Sequence, residues 1–373
     1  MESEKESITR TKSSSWIPLD VTMQILSRLP GKSVVRFRCV SKLWSSVTST
    51  PRFIKSFTVH SLARPSLLLV EKKEDKRVFC SLPHRQDPDR PYTKVEKYEM
   101  MIPKQDPEIV HGRVLSSIRG LICFEDFDQV VIWNPTLRQH AFSNLSWVHP
   151  IDDQYKVLCM TGNHDPRREQ LRVFTLGDQE SWRVTEFPPP PLRYRDSEER
   201  IIGGICLNGI LYYYIKGYIG TLESFDVRSE KFKKIQMPKG VFGQVEYRWG
   251  PVLTSYEGRL AWLCSNGRRW VLTDAEKQEW SEGRYSFSHL SELPRMDGPY
   301  DNSFLRHGGV TDNEEVVYME QPRRRPFYAF YRDMKKNTTR WVAYEELTDC
   351  ASNCDCFPNH IDNLMPLADL SFL

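Results

Sequence analysis

No stretch of this chain approaches the run of about eighteen apolar residues that a membrane-spanning helix requires, so none is predicted. The first fifteen residues are rich in Glu, Lys, Ser and Thr and lack the apolar centre of a secretion signal, so they read as a disordered lead. A large charge of one sign is also missing: 373 residues carry a net +3. Known catalytic frameworks are absent too. There is no H-E-x-x-H metal helix, no G-x-S-x-G nucleophile elbow and no G-x-x-x-x-G-K phosphate loop. His111, His140, His164, His289 and His307 are scattered, away from obvious Asp and Cys partners. These absences argue against an enzyme and predict no cofactor.

The nine cysteines form no disulfide framework, which fits a reducing compartment, cytoplasm and/or nucleus. Cys39, Cys123, Cys159, Cys206 and Cys264 sit singly in apolar stretches and read as small buried hydrophobes. Cys350, Cys354, Cys356 and His360 offer four soft ligands, but their C-x3-C-x-C-x3-H spacing departs from the usual zinc pattern. The reading is a loop tail with free thiols and no metal.

What is present begins with a short helical stretch. Leu19, Met23, Leu26 and Leu29 line one side of a helix, with Asp20 placed to cap it and Pro30-Gly31 to stop it. Val34, Phe37 and Val40 follow, then Trp44 and Val47 after a possible cap at Ser41, and Pro51 opens a segment carrying Phe53 and Phe57. Helices this short are marginal alone and need each other, and a partner, to cover their apolar faces. Between Ser14 and His60 seven basic residues face only Asp20. That excess favours an acidic partner. Lys42 to Ser49 offers mostly Ser and Thr rather than base-reading Asn and Arg, which argues against DNA. Taking this segment's +6 and the balanced lead from the total +3 leaves −3 for residues 61–373, so the large remainder is no broad binder of nucleic acid.

From residue 66 the periodicity changes to short strands, at 67–70, 120–124, 130–132, 156–160, 171–175, 210–215, 222–226, 259–264, 270–273, 315–319 and 327–331. Turn formers flank them, among them Asn134-Pro135, Asn208-Gly209 and Asn266-Gly267. A faint repeat joins an opening Gly-Leu/Ile strand to a strand ending in an aromatic and a polar turn. Examples are Gly120-Leu121-Ile122-Cys123 with Trp133-Asn134-Pro135, and Gly209-Ile210-Leu211-Tyr212 with Phe225-Asp226. At about 45 residues per blade, the roughly 280 residues from 67 to 347 suit a propeller of about six degenerate blades, with a two-sheet sandwich or several small β units as the alternatives.

Two resemblances sharpen this reading. Residues 16–53 resemble an F-box: Ile17-Pro18 stands for the opening Leu-Pro pair, Leu29-Pro30 matches the closing pair, and Arg38, Val40, Lys42 and Trp44 fit the run that follows. The large region resembles the plant F-box-associated domain of type one. The likeness rests on Gly120-Leu121-Ile122-Cys123, on Val131 to Gln139, on Asp152 to Val157, on Ser181-Trp182-Arg183, on Gly204 to Tyr213, on Ser224 to Phe232 and on Trp270 to Glu276. The inserted Gln154 and the 186–200 stretch depart from it.

The resemblance implies a small all-α F-box followed by a large all-β, propeller-like domain. The expected division is a lead at 1–13, an F-box at 14–60, a connector and first β segment at 61–94, the associated domain at 95–347 and a tail at 348–373. By this likeness Pro18, Leu19, Ile25, Leu26, Leu29, Pro30 and Val34 meet a Skp adaptor, while Val40 and Trp44 pack the box. The implied role is a non-catalytic substrate-recognition subunit of a ubiquitin ligase, reaching cullin and RING subunits through the adaptor. A non-degradative interaction protein is the alternative. Loop residues on a rigid scaffold would hold an unknown protein target. The candidates are Arg193, Arg195, Arg268, Arg269, Arg323, Arg324 and Arg325.

Overall fold

The structure, a computed structural model, describes residues 17–72, 76–86, 88–101, 114–126, 129–143, 146–151, 154–161, 170–176, 183–184, 200–216, 221–241, 252–264, 267–284, 305–320, 327–344 and 354–367. Four helices open it: α1 (Leu19–Ser27), α2 (Gly31–Phe37), α3 (Lys42–Thr48) and α4 (Pro51–Leu62). Pro18 rather than Asp20 occupies the N-cap of α1, and no side chain caps that helix. Asp20 sits in the first turn, where its charge favours the helix N-terminus. Ser41 does cap α3, its Oγ accepting from the Trp44 N–H at 3.1 Å. Thr50 caps α4 in the same way, with Pro51 in the first helical turn. Leu26, Val34, Phe53 and Phe57 are fully buried where α1, α2 and α4 meet, each stabilising the cluster by about 1.5–3 kcal/mol.

The remainder is antiparallel β, in six four-stranded sheets among the described residues. In chain order the strands are β1 (Ser66–Lys72), β2 (Lys76–Pro83) and β3 (Glu96–Met101); β4 (Val114–Ile118), β5 (Leu121–Asp126), β6 (Gln129–Asn134) and β7 (Gln139–Ser143); β8 (Ser146–Ile151), β9 (Gln154–Thr161), β10 (Gln170–Leu176) and β11 (Arg183–Val184). They continue with β12 (Arg200–Leu207), β13 (Ile210–Lys216), β14 (Thr221–Asp226) and β15 (Lys231–Ile235); β16 (Val252–Tyr256), β17 (Arg259–Leu263), β18 (Arg268–Asp274) and β19 (Glu279–Arg284). The last are β20 (Leu305–Val310), β21 (Glu315–Glu320), β22 (Phe327–Asp333), β23 (Thr338–Tyr344) and β24 (Cys354–His360). Each group of four from β4 to β23 is one meander, and β24 completes the first sheet in the order β24-β1-β2-β3. The innermost strands β24, β4, β12, β16 and β20 neighbour one another in a closed circuit of five, and the β8–β11 sheet lays β8 beside β4 and β5. The result is a five-bladed β-propeller rather than one of about six blades, because the β8–β11 sheet has no place in the inner circuit.

Strand β24 corrects the expectation of a C-terminal tail. It pairs with β1 through Leu68↔Phe357, Leu69↔Cys356 and Val70↔Asp355, so the first blade is built from both ends of the β region. The physical reason lies in β1. Leu67, Leu68, Leu69 and Val70 are all buried, and a strand buried on both faces needs a hydrogen-bonding neighbour at each edge. Pro358, which has no N–H to give, falls at the register shift between Ser66 and Leu68. Cys354 is buried and Cys356 half-buried in this strand, and both lie against the core shared by β1, β2, β21, β22 and β23. The cysteines are therefore packed residues of a strand rather than loop thiols, while Cys350 lies outside the described residues. Cys39, expected to be buried, is exposed.

Turns repeat around one end of the ring. Arg119-Gly120, Asn208-Gly209 and Glu257-Gly258 join inner strands to their neighbours with both residues at positive φ, the two-residue geometry that suits the twist of a hairpin. From third to outer strands, Asp226, Asp274 and Asp333 each accept two backbone N–H groups from the turn that follows. Asn134 accepts one, from Leu137. Those backbone bonds hold the Asp274 and Asp333 carboxyls below their ordinary range. The polar turn after an aromatic, heard in the sequence, is this device.

Candidate functional site

The helical cluster presents apolar side chains outward as well as inward. On and just before α1, Ile17, Leu19, Val21 and Ile25 are exposed, Ile25 by 47%. Pro18 and Pro30 are exposed as well, and Leu29 is partly buried against the core. Two members of the expected adaptor set point the other way: Leu26 of α1 and Val34 of α2 are buried in the helical core, packed with Phe53 and Phe57 of α4. Val40 departs in the opposite sense. It follows the end of α2, is 63% exposed, and lies near the exposed Leu43 in sequence. Trp44 lies with its ring 5.4 Å from Phe37 in an edge-to-face contact. Arg38 ties α2 to α3, its Nε donating to the Thr48 hydroxyl at 3.2 Å and its Nη2 to the Thr48 carbonyl at 3.1 Å. The exposed apolar side chains are thus mounted on a braced frame. Val21 and Leu43 were not singled out from the sequence, although helical spacing puts Val21 one turn before Ile25.

The propeller seats this frame on the end that carries the tight turns. Leu137, in the turn between β6 and β7, packs into the helical core, and so does Leu364 from beyond β24. Arg64 donates to the carbonyls of Arg28 and Leu29, fixing the end of α1 to the short link that enters β1.

Of the arginines expected to face a target, Arg268 and Arg269 are described, and both are engaged. Arg268 makes two bonds to Glu282, at 3.1 and 2.7 Å, and lies over the Trp270 ring at 4.8 Å. Arg269 lies over Tyr256 at 4.5 Å and donates to its hydroxyl at 2.9 Å. These contacts brace the β16–β19 blade. Arg193, Arg195, Arg323, Arg324 and Arg325 lie outside the described residues.

A polar cluster that the sequence did not announce joins the first and last blades. His84 Nε2 lies 2.6 Å from the Pro358 carbonyl, which only accepts, so Nε2 carries the proton and Nδ1 accepts from the Tyr331 hydroxyl at 3.0 Å. Arg340 lies over the Tyr331 ring at 4.0 Å, holds Glu315 through two bonds at 2.7 and 2.5 Å, and donates to the His84 carbonyl. Burial, with Arg340 nearby, presses the His84 pKa down to about 4, against the opposing pull of the Pro358 carbonyl and Glu315. His360 is buried beside Ser117 Oγ at 3.0 Å, and burial lowers it to about 4 as well. These neutral imidazoles serve closure of the ring. Among the described residues no three His, Cys, Asp or Glu gather as metal ligands would, and no helix is long and apolar enough to cross a membrane.

Family comparison agrees with both halves of this geometry. The F-box domain matches residues 14–56, and the F-box associated beta propeller domain matches residues 66–365. The chain belongs to the F-box proteins. The resemblance pointed to the type-one associated domain, and the matching family is FBA_3. F-box protein At5g18160 of Arabidopsis thaliana is 34% identical over 386 residues, covering 94% of this chain and 92% of that one. F-box protein DOR of the same plant is 32% identical over 390 residues, covering 93% of each. This plant family is one of non-catalytic adaptors. An F-box carried on an associated propeller is the architecture of a substrate adaptor for ligases of the Skp-cullin-F-box type.

Proposed function

We propose that this F-box protein is the substrate-recognition subunit of a Skp-cullin-F-box ubiquitin ligase, binding a Skp adaptor through α1–α3 and a protein target through the propeller. The observation that carries the reading is that Ile17, Leu19, Val21 and Ile25, on and just before α1, leave apolar side chains exposed on a helical frame whose own core is already filled. Burying such side chains on a partner removes apolar area from water, the main favourable term in association. Pro18, Leu29 and Pro30 adjoin them in sequence, while Leu26 and Val34 fill the core beneath. Basic Arg28, Lys32 and Arg36 are exposed around it and would steer an acidic adaptor.

Target capture belongs, in this reading, to the end of the propeller away from the helices. By strand alternation Glu320 and Phe327, which bound residues 321–326, lie at that end, as do Val184 and Arg200, which bound 185–199. The chain would then act by proximity: one end holds the adaptor and cullin scaffold, and the other presents a target lysine to the charged conjugating enzyme. Holding both partners raises effective concentration and sets orientation.

The test is binding of the full chain to a panel of plant Skp adaptors, with Leu19→Asp/Ile25→Asp as the variant. Both side chains are exposed, so the fold should survive. Central contacts of this kind cost about 2 kcal/mol or more each, so adaptor affinity should fall by about 1,000-fold for the pair. A folded wild-type chain that binds no adaptor in the panel would refute the reading.

A further inference from the structure

Residues 361–367, just past β24, touch the helical cluster and the propeller at once. Asp362 does so through a single carboxylate. Its Oδ2 accepts from the Gly31 N–H at 2.8 Å, at the start of α2, and its Oδ1 accepts from the Thr136 hydroxyl at 3.3 Å, in the β6–β7 turn. Its backbone carbonyl takes the Ser61 hydroxyl of α4 at 2.9 Å. Pro30 gives α2 no side-chain cap, so a carboxylate 331 residues away in sequence takes up that first free N–H. Leu364 is fully buried with Leu26, Val34, Phe53 and Phe57, so the helical core is completed by the far end of the chain.

The same segment is pinned to the propeller. Asn363 donates through its backbone to Thr136 Oγ1 at 3.1 Å and through Nδ2 to the Arg119 carbonyl at 2.7 Å. Asn134 Nδ2 donates to the Met365 carbonyl at 2.9 Å, and the Leu367 N–H donates to Gln139 Oε1 at 2.9 Å. Two glycines mark how closely the parts approach. A Cβ on Gly31 would stand 2.5 Å from Thr136 Cγ2, and one on Gly120 would stand 2.2 Å from the Ile361 carbonyl oxygen. Without this segment, the covalent link between the two parts is the stretch 63–65 between α4 and β1.

We propose that residues 361–367 act as a clasp that fixes the direction of the F-box relative to the propeller, with Asp362, Thr136 and Leu364 as its positioning residues. The proposal rests on the ligase reading for its purpose: a target held on one end of a rigid body meets the conjugating enzyme at a set angle. A hinged body would present the same target over a spread of positions and lose part of the orientation advantage. None of the three residues need touch adaptor or target.

The test uses the full chain with dyes at exposed Ser56 in α4 and Lys277 in the β18–β19 turn, read by single-molecule energy transfer. The variants are Asp362→Ala and Thr136→Val, the second altering only the propeller side and leaving the helical core whole. Both should broaden the transfer distribution and shift its mean, while the adaptor affinity of Thr136→Val, whose hydroxyl bonds Asp362 and Asn363 and no helix residue, stays within about twofold. In a reconstituted ligase, wild type should modify a restricted set of its own propeller lysines, and the variants should spread modification to others. Unchanged distributions in both variants would overturn the clasp. So would loss of adaptor binding with an unchanged distribution, which would make these contacts part of the box's own folding. A wild-type chain that ignores every adaptor would sink the ligase reading yet leave the distance measurement to judge the clasp.

Discussion

Acidification from pH 7 to pH 5 should weaken this protein through two buried imidazoles. His84 and His360 are held to a pKa of about 4, against about 6.5 in an unfolded chain. Both fold in the neutral form, so their stability contribution is intact above the unfolded pKa and is lost as pH falls from there toward the folded one. At pH 5 the unfolded histidine is almost fully protonated while the folded one is not, a difference of about 2 kcal/mol per residue. With an m-value of about 3 kcal/mol/M in urea, each histidine should lower the midpoint by about 0.7 M between the two pH values. Glu223, which is buried, and Asp312, whose pKa desolvation likewise raises, act in the opposite sense, so the wild-type slope alone does not isolate the histidines. The measurement is urea unfolding at both pH values for wild type, His360→Asn and His84→Gln. Each variant should start less stable at pH 7 and lose less on acidification. An unaltered midpoint shift in both variants would refute buried neutral imidazoles as the cause.

Three further outcomes follow from the packing. Leu364→Ala removes a fully buried side chain from a small helical core and should cost about 2–5 kcal/mol, read as faster hydrogen exchange in α1, α2 and α4 before the propeller strands open. Gly120→Ala meets the Ile361 carbonyl at a backbone φ of +85°, so it should destabilise by well over the roughly 1 kcal/mol of an ordinary glycine replacement, seen as a lowered melting temperature. Ser41→Ala removes the α3 cap and should cost about 0.5–2 kcal/mol in urea unfolding, with the propeller's circular dichroism unchanged in buffer.

Which strands were legible follows a physical rule. The eleven strands expected from the sequence are all second or third strands of their sheets, from β1 and β5 through β21 and β22. Where their side chains are described, such strands are largely buried on both faces and read as continuous apolar runs, as Leu67 to Val70 and Tyr212 to Ile215 do. Outer strands hide because solvent takes one face: β15 and β19 are mostly exposed and rich in Lys and Glu. Inner strands hide for another reason. β12, β20 and β4 each carry a register shift, and the sequences Gly203-Gly204 and Gly308-Gly309 interrupt the apolar pattern of two of them. β2 escaped notice behind its opening Lys76-Arg77, although Arg77 is buried.

The apolar helices of the box were legible in outline because helical spacing and the Leu29-Pro30 stop are local features. Their polarity was not, since Leu26 and Ile25 are neighbours of the same type and only packing against Phe53 and Phe57 decides which one faces inward. Local pattern by itself therefore determined a helical box, a chain of strands with polar turns, and the family they belong to. Tertiary structure alone decided that Cys354 to His360 close the first blade and that Asp362 and Leu364 return to complete a helical core begun near the other end. Contacts across three hundred residues leave no periodicity to read. They exist because a buried strand edge and an unfinished apolar core must each be covered, and folding brings the C-terminal segment to both.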